Sequence, residues 1–170
     1  MDRSEMTTTN SPIIHINQEY PFQTTFNIKH FILDICHKKN ITQGQLEFSF
    51  IDEKKMTDLN KKHLQHDNPT DTLSFNLGST QIPDADIYIC IPVAKQNAPQ
   101  FNTTFEEELK LLIIHTLLHT IGYKDYTPEE KKEMDTEQTR LLNILSKYKK
   151  WNLNTNRRNF YSPLIALFLP

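Results

Sequence analysis

Residues 104–125 read TFEEELKLLIIHTLLHTIGYKD, and the rest of the chain is organised around them. Thr104 with Glu107 three places on is a capping box, in which each side chain satisfies a backbone N–H at a helix start. Phe105, Leu109, Leu112, Ile113 and Leu117 then recur at helical spacing and form an apolar stripe. His115 and His119, four apart, leave that helix on one side, one turn from each other. A first-row metal ion needs such a pair from a rigid element. Gly122 sits where the helix stops, because glycine turns a chain through the left-handed region without steric cost. The turn lets Asp125, six residues past His119, reach the same ion. Two His and one Asp leave a coordination position open, which is the catalytic pattern; structural zinc sites are normally closed by four protein ligands. Spacing alone also fits a plainer arrangement, with both histidines packed in a polar seam of the core and Gly122 an ordinary helix stop.

Composition narrows the field. The chain has 170 residues, with seven His, two Cys and only three Gly. Gly44, Gly78 and Gly122 cannot write a G-x-G-x-x-G or P-loop nucleotide site. Cys36 and Cys90 are too few for a Cys-ligated zinc site or a disulfide scaffold. The net charge of −2 lacks the basic balance of a protein that grips nucleic acid over its whole surface, and leaves room for a local basic cleft. The first twelve residues hold no apolar signal-peptide core, and no apolar run approaches the roughly 20 residues that cross a bilayer. The expectation is a cytoplasmic protein with no membrane partner.

Outward from the central helix, a β-branched run at 13–17 predicts a first strand. Ile28, Phe31, Ile32 and Ile35 predict an amphipathic helix over 22–39, ended by Asn40 and Gly44. Leu46, Phe48 and Phe50 alternate with polar residues as a strand does, and Met56, Leu59 and His63 suggest a short helix over 52–64. Asn68-Pro69 interrupts the chain before two further strands, 72–75 and 87–91. Thr127-Pro128-Glu129-Glu130 starts a last helix, carried to about Ser146 by Met134, Leu141, Leu142 and Leu145. Four strands among four helices make one α/β or α+β domain over 1–146, with no internal repeat. Residues 147–170 read as a loosely ordered tail: Lys147, Lys149, Lys150, Arg157 and Arg158 come without an acid, followed by the apolar YSPLIALFLP. A basic extension touching RNA or a membrane is the alternative.

The run HTLLHTIGY at 115–123 resembles the H-G-x-L-H-x-x-G-Y-D-H signature of the YbeY endoribonucleases, the rRNA maturation factor family. NPTDTLSF at 68–75 resembles that family's P-T-D-V-L-S-F segment, and Asp86-Ile87 its G-D-I strand. Order and spacing agree from about residue 13 to 145. The resemblance implies an α+β fold, a small four-stranded mixed sheet with helices, and a metal at the end of the long central helix. It implies one zinc ion on His115, His119 and Asp125, which are then also the catalytic residues. The implied activity is single-strand-specific endoribonuclease action on ribosomal RNA, in maturation of the 16S rRNA 3′ end and in ribosome quality control. The implied partners are the small ribosomal subunit and an Era-type GTPase.

Three departures stand out. Asp125 replaces the family's third His, and Lys124 the Asp before it. An anionic ligand makes the ion a weaker Lewis acid. The family's Arg in an R-G-K-D stretch aligns with Leu64, ahead of Gln65, His66 and Asp67. Lys61, Lys62, His63, His66 and Lys124 offer charge for RNA nearby, but none reproduces the planar fork with which Arg clamps a phosphodiester. Thr70, Asp71 and Ser74 match the family motif and are expected to shape the site more than to move protons, with Asp71 the one candidate base. Cys90, where the family has Ser, is expected to be a buried small residue. Two rivals follow. One is a non-catalytic ribosome-assembly or RNA-binding factor that keeps the metal. The other is a metalloprotease of the metzincin type, which shares the H-x3-H-x2-G-x2-D spacing but needs Glu directly after the first His, where this chain has Thr116.

Overall fold

A computed structural model describes residues 10–64, 70–146 and 167–168. In chain order they form β1 (Ile13–Gln18), α1 (Ile28–Lys38), β2 (Gln45–Ile51), α2 (Glu53–Leu64), β3 (Thr72–Asn76), β4 (Asp84–Cys90), α3 (Ile91–Gln100), α4 (Phe105–Thr120), α5 (Pro128–Leu145) and β5 (Leu167–Phe168). Four strands make a mixed sheet in the order β1-β2-β4-β3. β1, β2 and β4 run parallel, β3 is antiparallel to β4, and the two residues of β5 extend the β3 edge in parallel. The expected α+β class and four-stranded mixed sheet are both present. The expected tail lies outside the described residues apart from Leu167–Phe168, as does the Asn68-Pro69 break.

The sheet separates two cores of unequal size. On one face α1, α4 and α5 enclose Ile32, Ile35, Leu46, Phe48, Leu112, Leu118 and Leu141. On the other, α2 covers a smaller group: Ile51, Met56, Leu73, Phe75 and Cys90. β3 serves both cores by strand alternation. Leu73 and Phe75 point into the smaller core, while Thr72, Ser74 and Asn76 share the opposite side, where the Asn76 amide donates to the Thr120 carbonyl at 3.0 Å. That bond fixes the end of β3 to the end of α4. Between Glu108 and Thr120 every α4 residue but Lys110 is buried, so the apolar stripe read from sequence is part of a helix enclosed nearly all round. None of the described helices is long and apolar enough to cross a membrane.

Three elements differ from expectation. Helix α1 begins at Ile28, not 22, capped by Asn27, whose side chain accepts from the His30 N–H at 2.8 Å. The six residues before it instead form a strap: Phe22 packs on Phe50 at 5.2 Å between ring centroids, and Thr25 Oγ1 donates to Glu106 Oε2 at 2.7 Å. Strand β4 starts earlier, at Asp84, and ends at Cys90. Helix α3 was not expected, which makes five helices among the described residues. Pro92 and Pro99 make the segment read as a loop, yet Pro92 stands in the first turn, where no N–H bond is lost, and Pro99 near the last. Its buried face is only Ile91, Ala94 and Ala98, too small a stripe to stand out in the sequence.

Candidate metal centre

The Thr104–Glu107 capping box is present, and α4 runs unbroken from it to Thr120. Gly122 then takes φ +103°, its N–H bonded to the His119 carbonyl and the Tyr123 N–H to that of Leu118, both at 3.0 Å. The chain doubles back as the glycine predicts, and His115, His119 and Asp125 each offer a ligand atom within 4.8 Å of the others. His119 Nε2 lies 3.2 Å from His115 Nε2 and 3.7 Å from Asp125 Oδ2. The histidines are 3 % and 2 % exposed.

Hydrogen bonds at the far side of each ring decide what the facing nitrogens carry. His119 Nδ1 is 2.9 Å from the Tyr123 carbonyl, which can only accept, so that nitrogen holds the proton. His115 Nδ1 is 2.8 Å from the Gln138 side-chain oxygen and is protonated for the same reason. Each Nε2 therefore turns a lone pair toward the other. Two lone pairs at hydrogen-bond distance repel, and a cation between them converts the repulsion into ligation. The separation also suits the ion, since Zn–N bonds of about 2.0–2.1 Å in tetrahedral array set ligand atoms roughly 3.3 Å apart. Asp125 Oδ1 is buried without a hydrogen-bond partner, which a cation would supply. The donor set fits a borderline divalent metal such as zinc.

The electrostatics agree. Burial first, then the His119 ring beside it, pushes the His115 imidazole well below its ordinary range, so it stays neutral and able to ligate. Burial works to raise the Asp125 carboxyl, but the His119 and His115 rings beside it outweigh this and hold it below the usual carboxylate value. Behind the centre, Lys39 at the end of α1 donates to the Tyr123 hydroxyl and to Glu137 Oε1, both at 2.8 Å. Arg140 grips the same Glu137 through Nε at 2.7 Å and a terminal nitrogen at 2.6 Å, and with Lys39 it drives that carboxyl down to about 2. The return loop and α5 are thereby tied to one cation.

The remaining site candidates are spread wider. Lys61, Lys62 and His63 are exposed on the last turn of α2, and the His63 ring sits 4.6 Å from that of Phe75. Lys124 lines a cavity of about 340 Å³ with Ile121, Gly122, Tyr123, Glu130 and Glu133. His66 lies outside the described residues. Thr70 Oγ1 donates to the Thr72 carbonyl at 3.1 Å and receives from Asn60. Ser74 is buried in the middle of β3. Asp71 is buried at its start and lifted to about 7, by burial first and the Glu108 charge second. Glu108 precedes His119 by eleven helix positions, roughly 16 Å at 1.5 Å per residue, so Asp71 lies toward the opposite end of α4 from the histidines. Cys90 is buried, its thiol pushed up to about 11 by that burial. Sequence reasoning missed Gln138 and the Tyr123 carbonyl. A polar residue in the stripe Met134, Gln138, Leu141, Leu145 is the signal that pointed to the first; a backbone oxygen leaves no mark in a sequence.

Comparison with known proteins bears on the same residues. The family model described as Endoribonuclease YbeY matches residues 7–146. The Endoribonuclease YbeY of Flavobacterium psychrophilum is 30% identical over 134 residues, 78% of this chain and 96% of that protein. That of Chlorobium luteolum is 44% identical over a shorter 87 residues, 51% of this chain and 64% of that protein. Among solved structures, the solution structure of TM1509 from Thermotoga maritima superposes with a TM-score of 0.56 at 27% identity, covering 78% of this chain and 89% of that one.

Proposed function

The chain belongs to the endoribonuclease YbeY family, and on that premise we propose that it is a zinc-dependent endoribonuclease cutting single-stranded ribosomal RNA. The supporting observation is the facing pair of Nε2 lone pairs with Asp125 beside them. His115, His119 and Asp125 hold the ion, which supplies Lewis acidity to a phosphate oxygen or to the attacking water. Lys61, Lys62 and His63, with His66 and Lys124, neutralise the phosphodiester as it arrives. Lys124 is the best placed of these, one residue from a ligand and exposed. With Leu64 at the family's Arg position, the phosphate meets point charges instead of a fork, and the reaction runs slowly. In the cell this reading implies cytoplasmic action on the 3′ end of 16S rRNA and in ribosome quality control, beside the small ribosomal subunit and an Era-type GTPase.

Leu64 also favours a second reading, a ribosome-assembly factor that binds RNA around its metal without cutting it. Incubating zinc-loaded protein with single-stranded rRNA fragments, with and without chelator, separates the two. The nuclease reading expects chelator-sensitive cuts. RNA retained but uncut by fully loaded protein overturns it in favour of the assembly factor. The protease reading is dropped: Thr116 is buried, its hydroxyl bonded to the Leu112 carbonyl at 2.7 Å, and no general base follows His115.

A further inference from the structure

Gln138 is 4 % exposed in the middle of α5, among the core residues Met134, Leu141 and Leu142. A buried amide is costly unless both its ends are satisfied. Here Oε1 lies 2.8 Å from His115 Nδ1 and Nε2 donates to Asp135 Oδ1 at 3.3 Å. The two ends cannot trade places, because the Asp135 carboxylate only accepts and so claims the amide nitrogen. The oxygen is left facing His115, and an oxygen there only accepts, so the ring proton is held on Nδ1. That is the reverse of the tautomer a histidine prefers in water, and it leaves the lone pair on Nε2, 3.2 Å from His119 Nε2.

We infer that Gln138 is a positioning residue of the metal centre, locking the tautomer of His115 through an amide that adds no charge. The inference rests on the metal-site reading above and extends it to a residue outside the ligand set. Ligating histidines donate their second N–H to carboxylates, carbonyls or water, and such partners set both ring orientation and ligand basicity. His119 finds its partner in the Tyr123 carbonyl, which no substitution removes. For His115 the same task falls to a side chain. Its neutrality matters because Asp125 already brings a negative charge to the ion. A carboxylate at 138 would add a second charge behind His115 and temper the ion further.

The test needs no RNA. Zinc affinity is measured by competition with a chromophoric chelator, and the His115 tautomer by long-range ¹H–¹⁵N NMR of the metal-free protein. Gln138→Leu is expected to weaken zinc binding about 10–100-fold and to return part of His115 to the Nε2–H form. Gln138→Glu keeps an acceptor in place and is expected to rescue both readings. Asp135→Ala, at a half-exposed position, frees the amide to turn over and is expected to give a smaller loss in the same direction. It carries the test if leucine at 138 prevents folding. Unchanged affinity and tautomer in Gln138→Leu, or in Asp135→Ala where the leucine variant does not fold, overturn the inference. Wild-type protein that binds zinc through the Nδ1–H form yet leaves RNA uncut overturns the nuclease reading alone, and wild-type protein that binds no zinc overturns both.

Discussion

The two ends of α4 are built by different means. Its first turn is capped by its own residues, Thr104 and Glu107, and covered by the strap, where Phe22 meets Phe105 at 6.0 Å. Its last turn is tied to polar groups of other elements, the Gln138 amide of α5 and Asn76 at the end of β3, and to the Tyr123 carbonyl of its own return turn. The first end is a stability device with a carboxylate pair, Asp71 and Glu108, buried beside it. The last end is a cluster of two imidazoles and one carboxylate. Charge is thus divided along one helix: acids buried toward the N-terminal half, bases converging at the C-terminal end. Damage at the last end should therefore show in metal binding, and damage at the first end in folding.

The largest expected effect is at the last end. Asp125→Ala removes the proposed third ligand and should weaken zinc binding by more than the roughly 100-fold upper figure for an outer-shell partner, with little change in the metal-free protein's Tm. Elemental analysis of the purified variant checks it, and full zinc occupancy would reassign the third ligand. Next comes Asp71→Asn at the other end. The folded carboxyl titrates near 7 and an unfolded one near 4, so burying it costs stability as pH rises between those values and nothing extra below them. Urea unfolding should find the variant gaining on wild type across that window, by on the order of 3 kcal/mol at neutral pH. Parallel curves would mean that Asp71 is charged and fully satisfied in the native protein. Gly122→Ala forces a side chain to φ +103° and a Cβ to 3.0 Å from Thr80 Cγ2, and should cost about 1–2 kcal/mol of stability. It should also weaken zinc binding, because the same turn delivers Asp125; an unaltered zinc titration would uncouple turn from ligand. The smallest effect is Thr104→Ala, about 1 kcal/mol by thermal unfolding with zinc affinity untouched. A zinc defect in that variant would mean the two ends are not separate after all.

The same division governs what could be read from sequence. The capping boxes at Thr104 and Thr127, the His pair and the turn at Gly122 are local patterns, and all are present as read. The convergence of His115, His119 and Asp125 was legible because a helix repeat and one glycine suffice to bring three side chains together. α3 was not, because its two prolines mimic a loop and its buried face is mostly alanine. The start of α1 was misplaced because the Phe22 and Phe26 rings satisfy an apolar pattern while serving the strap and not the helix. Gln138 was half legible as a polar residue in an apolar stripe, but its partner sits 23 positions away in the chain, which periodicity cannot supply.

The three candidate ligands all lie within residues 115–125, so they stay close along the chain even when it is unfolded. An ion that also binds unfolded chains stabilises the fold only by the difference between the two affinities. That difference resides in what the unfolded chain lacks, the dry pocket and the Gln138 amide. Zinc should therefore raise the Tm by less than its affinity for the native protein implies.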